Sequence, residues 1–124
     1  MLEQQFSFQK SKRLLNKNDF LGLRQESRFL VSGLLLCYFK KNNLNTSRLG
    51  IAVSKKYGNA VMRNQFKRHI RENFRKSEFK DTYDFLVIPN LRKIKSNNIS
   101  YAKVVQDIPF SLSDLLREMP EMWQ

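Results

Sequence analysis

The chain has 124 residues, with 23 Lys and Arg against 11 Asp and Glu, a formal charge of +12 and a pI near 10.1. That length suits one domain with one modest core, and that charge favours a nucleic acid or an anionic membrane surface as partner. A hydrophobic content of 41% with ten Phe excludes a disordered basic tail, and the longest apolar stretch, Phe29 to Phe39, falls short of the roughly 20 residues that cross a bilayer.

In chain order, the segment to about Ser11 is polar apart from Phe6 and Phe8 and reads as extended or loose. No leading segment has the charged, apolar, small-residue order of a signal peptide. The run DFLGLRQ, with Phe20, Leu21 and Leu23, suggests a short helix with Asn16 or Asn18 as its cap. Phe29 to Lys40 reads as a strand, with Ser32 and Gly33 the point where it could break. Cys37 has no partner for an internal disulfide, and its apolar neighbours suggest a small buried hydrophobe in a reducing, cytoplasmic setting. The polar run KKNNLNTS, Lys40 to Ser47, reads as a turn or hairpin loop.

Arg48 to Ser54 is a second or third strand. Lys55 to Asn59 form a basic turn in which Gly58 is the natural place for a positive φ angle. A long helix follows from about Ala60 to Lys76, and DFLVIP, Asp84 to Pro89, is the clearest remaining strand. LRKIKSNNIS reads as a basic loop that either adds RNA contacts or is solvated; its unbalanced sign favours contact. Ser100 is a plausible cap for the helix YAKVVQDI, which Pro109 should kink or end before a further turn, SLSDLLREM. The tail with Met119, Met122 and Trp123 either packs back or frays. The expectation is a single α+β domain over residues 1–124, loose at 1–11 and 119–124, with helices covering one side of a small sheet.

The segment Arg48 to Lys76 carries the functional signal. On a helix, Met62, Phe66, Ile70 and Phe74 stack at i, i+4 spacing into one apolar stripe. Arg63, Lys67, Arg71 and Arg75 form the next row, with Asn64 and Arg68 beyond it. Such a pairing of stripes is common on any surface helix, but a helix charged only for solubility mixes opposite signs at i, i+4. Here Glu72 is the one acid against Arg48, Lys55, Lys56, Arg63, Lys67, Arg68, Arg71, Arg75 and Lys76. A row of mutually repelling cations points to an external anion, and the residues read as a surface for polyanionic RNA.

The string SKKYGNAVMRNQFKRHIRENFR closely resembles the signature of the bacterial ribonuclease P protein component. RLLNKNDF looks like that family's amino-terminal element and YDFLVIP like its last strand, so the resemblance covers about residues 10 to 90. It implies a four-stranded sheet packed by helices in the order α-β-β-β-α-β-α, with a left-handed β-α-β crossover similar to a ribosomal-protein domain, an exception to the right-handed rule. It also implies a subunit of a ribonucleoprotein endoribonuclease, whose partners are ribonuclease P RNA and precursor tRNA. In that family the RNA holds Mg2+ and cleaves the phosphodiester, and the protein contacts the 5′ leader.

By the same resemblance, Arg63, Asn64, Lys67, Arg68 and Arg71 face the catalytic RNA, and Arg75, Lys55 and Lys56 extend that basic surface. Phe20 and Tyr38 fall where the family places cleft aromatics that stack on leader bases. Lys55 and Lys56 would lie at the mouth of that cleft. Two positions depart from the pattern. Gln65 stands where the motif has a second arginine, and Arg24 stands where some members carry a second cleft aromatic, although a guanidinium can also stack on a base.

Read without the resemblance, Phe20 is more often core than platform, and Tyr38 can pack its ring while its hydroxyl meets water. His69 has no Cys or His neighbour for a zinc site, and Glu72 suits the offsetting of nearby arginines. No acid pair, Ser-His-Asp set or phosphate-binding glycine loop is visible, so no catalytic residue and no protein metal site are expected. No membrane and no obligate protein partner are expected either. A ribosomal-type RNA binder explains the charge equally well but not the motif. A major-groove DNA binder is weaker, since only Asn64 and Gln65 could read bases.

Overall fold

The computed structural model describes residues 28–42, 44–76 and 82–122, with side chains described as far as residue 118. Its strands are β1 (Arg28–Ser32), β2 (Leu35–Lys41), β3 (Arg48–Ile51) and β4 (Tyr83–Pro89); its helices are α1 (Ala60–Arg75), α2 (Leu91–Ser96) and α3 (Tyr101–Met122). The run from Phe29 to Lys40 does break, at Gly33–Leu34, while Ser32 stays within β1. Gly33 adopts φ +54°, and β1 folds back antiparallel on β2 with Phe29 opposite Tyr38 and Ser32 opposite Leu35.

The sheet order is β1-β2-β4-β3. β2 and β4 are antiparallel, whereas β3 and β4 are parallel. The segment from Lys40 to Ser47 is therefore no hairpin loop, because β4 lies between the two strands that it joins. The connection β3-α1-β4 is the β-α-β crossover, and the whole is the expected α+β four-stranded architecture. The sequence-predicted helix DFLGLRQ lies outside the described residues.

The period-2 alternation of the strands sorts their side chains onto two faces. On one face, Leu35, Cys37, Phe39, Leu49, Tyr83, Phe85 and Val87 join Phe66, Ile70 and Phe74 of α1 and Val104, Ile108, Leu112 and Leu115 of α3 in one core. Phe74 packs edge-on against Phe85 with ring centroids 5.0 Å apart. Each such large apolar side chain contributes about 1.5–3 kcal/mol on burial. Cys37 is a neutral, buried thiol: burial pushes its pKa far above the ordinary range, only partly offset by a backbone hydrogen bond at Leu86.

Two expectations about the C-terminal part change. LRKIK is helical, not a loop: Asn90 Oδ1 accepts from the Lys93 amide at 3.2 Å, and Ile94 is buried. Pro109 does not end its helix. The spacing of Val104, Ile108, Leu112 and Leu115 continues the apolar stripe straight across it, and packing of that stripe offsets the one backbone hydrogen bond that proline removes. Ser100 caps α3 as expected, its Oγ accepting from the Lys103 amide at 3.2 Å.

Candidate nucleic-acid interface

α1 is fixed before its cations are placed. Asn59 Oδ1 accepts from the Met62 amide at 2.9 Å and starts the helix, while Phe66, Ile70 and Phe74 anchor one side in the core. The rest of the circumference carries Arg63, Lys67, Arg71 and Arg75 half-buried, with Asn64 and Arg68 exposed. Arg63 folds back, its guanidinium donating to the Gly58 carbonyl at 3.2 Å, so α1 and the turn before it form one basic unit. Arg71 and Arg75 also have partners within the chain.

Arg68 lies 3.8 Å from Glu72, the offset expected of that acid, in an exposed i, i+4 pair worth about 0.2–1 kcal/mol. Lys55 and Lys56 are exposed in the turn that follows β3. Gly58 has no positive φ. Its lack of a side chain serves close approach: a Cβ there would sit 2.6 Å from the Tyr101 hydroxyl. Arg48, counted with the cations of this segment, is held by Asp84 inside the sheet and does not belong to the basic surface.

Tyr38 lies on the other face of the sheet. There the register produces three cross-strand rows. Val31, Leu36 and Ile88 form an apolar row, Phe29, Tyr38, Leu86 and Gly50 an aromatic one, and Lys40, Asp84 and Arg48 a charged one. Phe29 and Tyr38 pack with centroids 4.8 Å apart, and Phe29 is 44% exposed. Ala52, like Tyr38 and Ile88, packs against Leu86, and the Lys55–Lys56 turn follows it three residues on.

The structure thus joins the Lys55–Lys56 turn to α1 through the Arg63–Gly58 contact and places Tyr38 on the sheet face opposite α1. Phe20 and Arg24 lie outside the described residues. The sequence alone does not single out Phe29; the two-residue period that places it beside Tyr38 follows once β1 and β2 are known to pair.

What these surfaces can do is bind, through cations on one and aromatic rings on the other. Among the described residues, no three His, Cys, Asp or Glu side chains gather into a set that could hold a metal ion. Among the same residues, no helix is long and apolar enough to cross a membrane.

Residues 8–115 match the family model described as Ribonuclease P. The chain is 44% identical over 85 residues to the ribonuclease P protein component of Thermotoga petrophila, covering 67% of this chain and 73% of that one. It is 37% identical over 117 residues to the component from Desulfosudis oleivorans, covering 93% and 94%. Among solved structures, the Staphylococcus aureus RNase P protein superposes with a TM-score of 0.70 at 30% identity, covering 86% of this chain and 96% of that one. The Thermotoga maritima protein gives 0.68 at 33%, with the same coverage.

Proposed function

Because the chain belongs to the bacterial ribonuclease P protein family, whose members serve a ribonucleoprotein endoribonuclease of tRNA 5′ processing, we propose that it binds ribonuclease P RNA through α1 and the leader of precursor tRNA through the Tyr38 face. The observation that carries the reading is the division of labour around α1. Phe66, Ile70 and Phe74 lock one side of the helix into the core, and the remaining sides carry Arg63, Lys67, Arg68, Arg71 and Arg75 against Glu72 alone.

Arg63, Lys67, Arg68, Arg71 and Arg75, with Lys55 and Lys56, meet phosphates of the RNA subunit, and Asn64 adds hydrogen bonds. Binding releases counterions, so affinity falls steeply with salt. Tyr38, with Phe20 and Arg24, provides stacking surfaces for unpaired leader bases, a sequence-tolerant mode because every base has a π-face. The protein lowers repulsion between two polyanions by standing between them, and the bond is broken at the RNA subunit. In this reading Mg2+ is held by the RNA and the substrate. The same reading makes the protein cytoplasmic.

The test is precursor-tRNA cleavage at low magnesium by a bacterial ribonuclease P RNA, with and without the protein. Strong stimulation with a correctly placed 5′ end is expected. A folded protein that binds RNA but gives no stimulation would instead be a ribosomal-type binder.

A further inference from the structure

We propose that Tyr101 is a stacking platform for an unpaired nucleotide of the RNA subunit, flanked by phosphate-binding cations from two separate connections of the fold. β3 and β4 run parallel, so the segments that follow them leave the sheet at the same end. After β3 come Lys55 and Lys56; after β4 come Arg92 and Lys95 of α2, then Lys103 at the start of α3, whereas Lys93 donates to the Gly33 carbonyl at 3.4 Å. Neither 49–71 nor 85–106 contains an Asp or Glu, so this end of the sheet gathers cations from two stretches that bring no acid of their own.

Tyr101 stands where the two connections meet. Its ring lies 5.3 Å from that of Tyr57, edge to face at 65°, and Tyr57 in turn is buried against Phe66 of α1 at 5.4 Å. Gly58 supports the ring from the turn, since a Cβ there would be 3.0 Å from both Cε1 and Cζ. A tyrosine held on one side by backbone and a second ring, yet 42% exposed, presents a fixed aromatic surface to solvent. Bases inside a duplex already stack on one another, so the group that can use this surface is an unpaired base whose flanking phosphates reach the lysines.

The inference rests on the RNA-binding reading above, and full-length variants separate the two. Ribonuclease P RNA is titrated, without substrate, against the wild-type chain, Tyr101→Phe, Tyr101→Leu and Tyr101→Lys, each first shown to melt cooperatively. Stacking predicts that Phe binds like the wild type, Leu about tenfold more weakly, and Lys more weakly still than the wild type despite its added charge. A purely electrostatic surface predicts that Tyr101→Lys binds more tightly with a steeper salt dependence, and that result overturns the platform. Equal binding of wild type and Tyr101→Leu also overturns it while leaving the RNA-binding reading intact. Failure of the wild type itself to bind removes the broader reading.

Discussion

Arg48 and Asp84 face each other across the parallel β3–β4 pair and form a two-pronged ion pair, with Nε donating to Oδ1 at 2.8 Å and a terminal nitrogen to Oδ2 at 2.6 Å. Asn42 donates to the same Oδ1 at 2.8 Å. The carboxylate is buried, so removing its guanidinium leaves a charge that one amide cannot satisfy. Arg48→Ala should lower unfolding free energy by about 3 kcal/mol in a denaturant titration and leave the RNA affinity of the folded protein unchanged. A stable variant that binds RNA weakly would return Arg48 to the basic surface.

Gly33 ties the β1–β2 hairpin to α3. Leu34 donates its amide to Asp107 Oδ2 at 3.3 Å, Ser111 donates to the same oxygen, and Ser32 Oγ donates to the Ser111 carbonyl at 2.8 Å. A Cβ on Gly33 would collide with Ser111 Oγ and lie 2.7 Å from Asp107 Oδ2. The positive φ alone costs a non-glycine residue about 1–2 kcal/mol. Gly33→Ala should therefore destabilise by more than that, and adding Ser111→Ala should recover part of the loss. Strict additivity of the two changes would show that the collision is not what matters.

The reach of the sequence is plain from these two positions. The 3.6-residue stripe of α1, the aliphatic run of β4 and the Ser100 cap are local signals, and each reads directly from spacing. Pairing register is not local. Nothing in Arg48 shows that Asp84 will lie beside it, and nothing in Phe29 shows that it will share a face with Tyr38. α2 has six residues, too few for a helical period to declare itself, and Pro109 suggests a break that the continuous stripe of α3 overrides. Gly58 is legible as special, but the reason, the ring of Tyr101, lies far along the chain.

Glu72 holds Arg68 in a surface pair at 3.8 Å, in competition with any phosphate. Glu72→Gln should tighten RNA binding by roughly two- to fivefold at low salt, the equivalent of an exposed pair, and the gain should shrink as salt screens it. Arg68→Ala should instead flatten the log–log salt dependence by roughly one unit. An unchanged slope would exclude Arg68 as a phosphate ligand.

Burial, helped by the neighbouring Tyr101, pushes the Tyr57 hydroxyl up to about 12. The unfolded chain ionises this group near its ordinary value of about 10, so between those values the folded state binds more protons than the unfolded one. Stability attributable to Tyr57 is therefore complete below pH 10 and is lost as pH rises from about 10 towards 12. Tyr57→Phe should flatten the decline of melting temperature across that window. An identical decline in both proteins would show that other groups carry the alkaline transition.

The Phe29–Tyr38 pair offers the sharpest separation of substrate binding from assembly, because it lies across the sheet from α1. Tyr38→Ala removes a ring that packs at 4.8 Å on its neighbour, and stacking on one base is worth about 1–3 kcal/mol by this kind of truncation. With ribonuclease P RNA held saturating, the variant holoenzyme should bind precursor tRNA more weakly by that amount and bind mature tRNA, which has no leader, as the wild type does. Phe29→Ala should weaken precursor binding in the same direction and less, since it acts partly through the support it gives Tyr38. Tyr38→Phe should keep most of the affinity, since stacking uses the ring face and not the hydroxyl. Equal weakening towards precursor and mature tRNA would mean that this face senses the tRNA body, and weaker assembly with the RNA subunit would mean that the two surfaces are not separate.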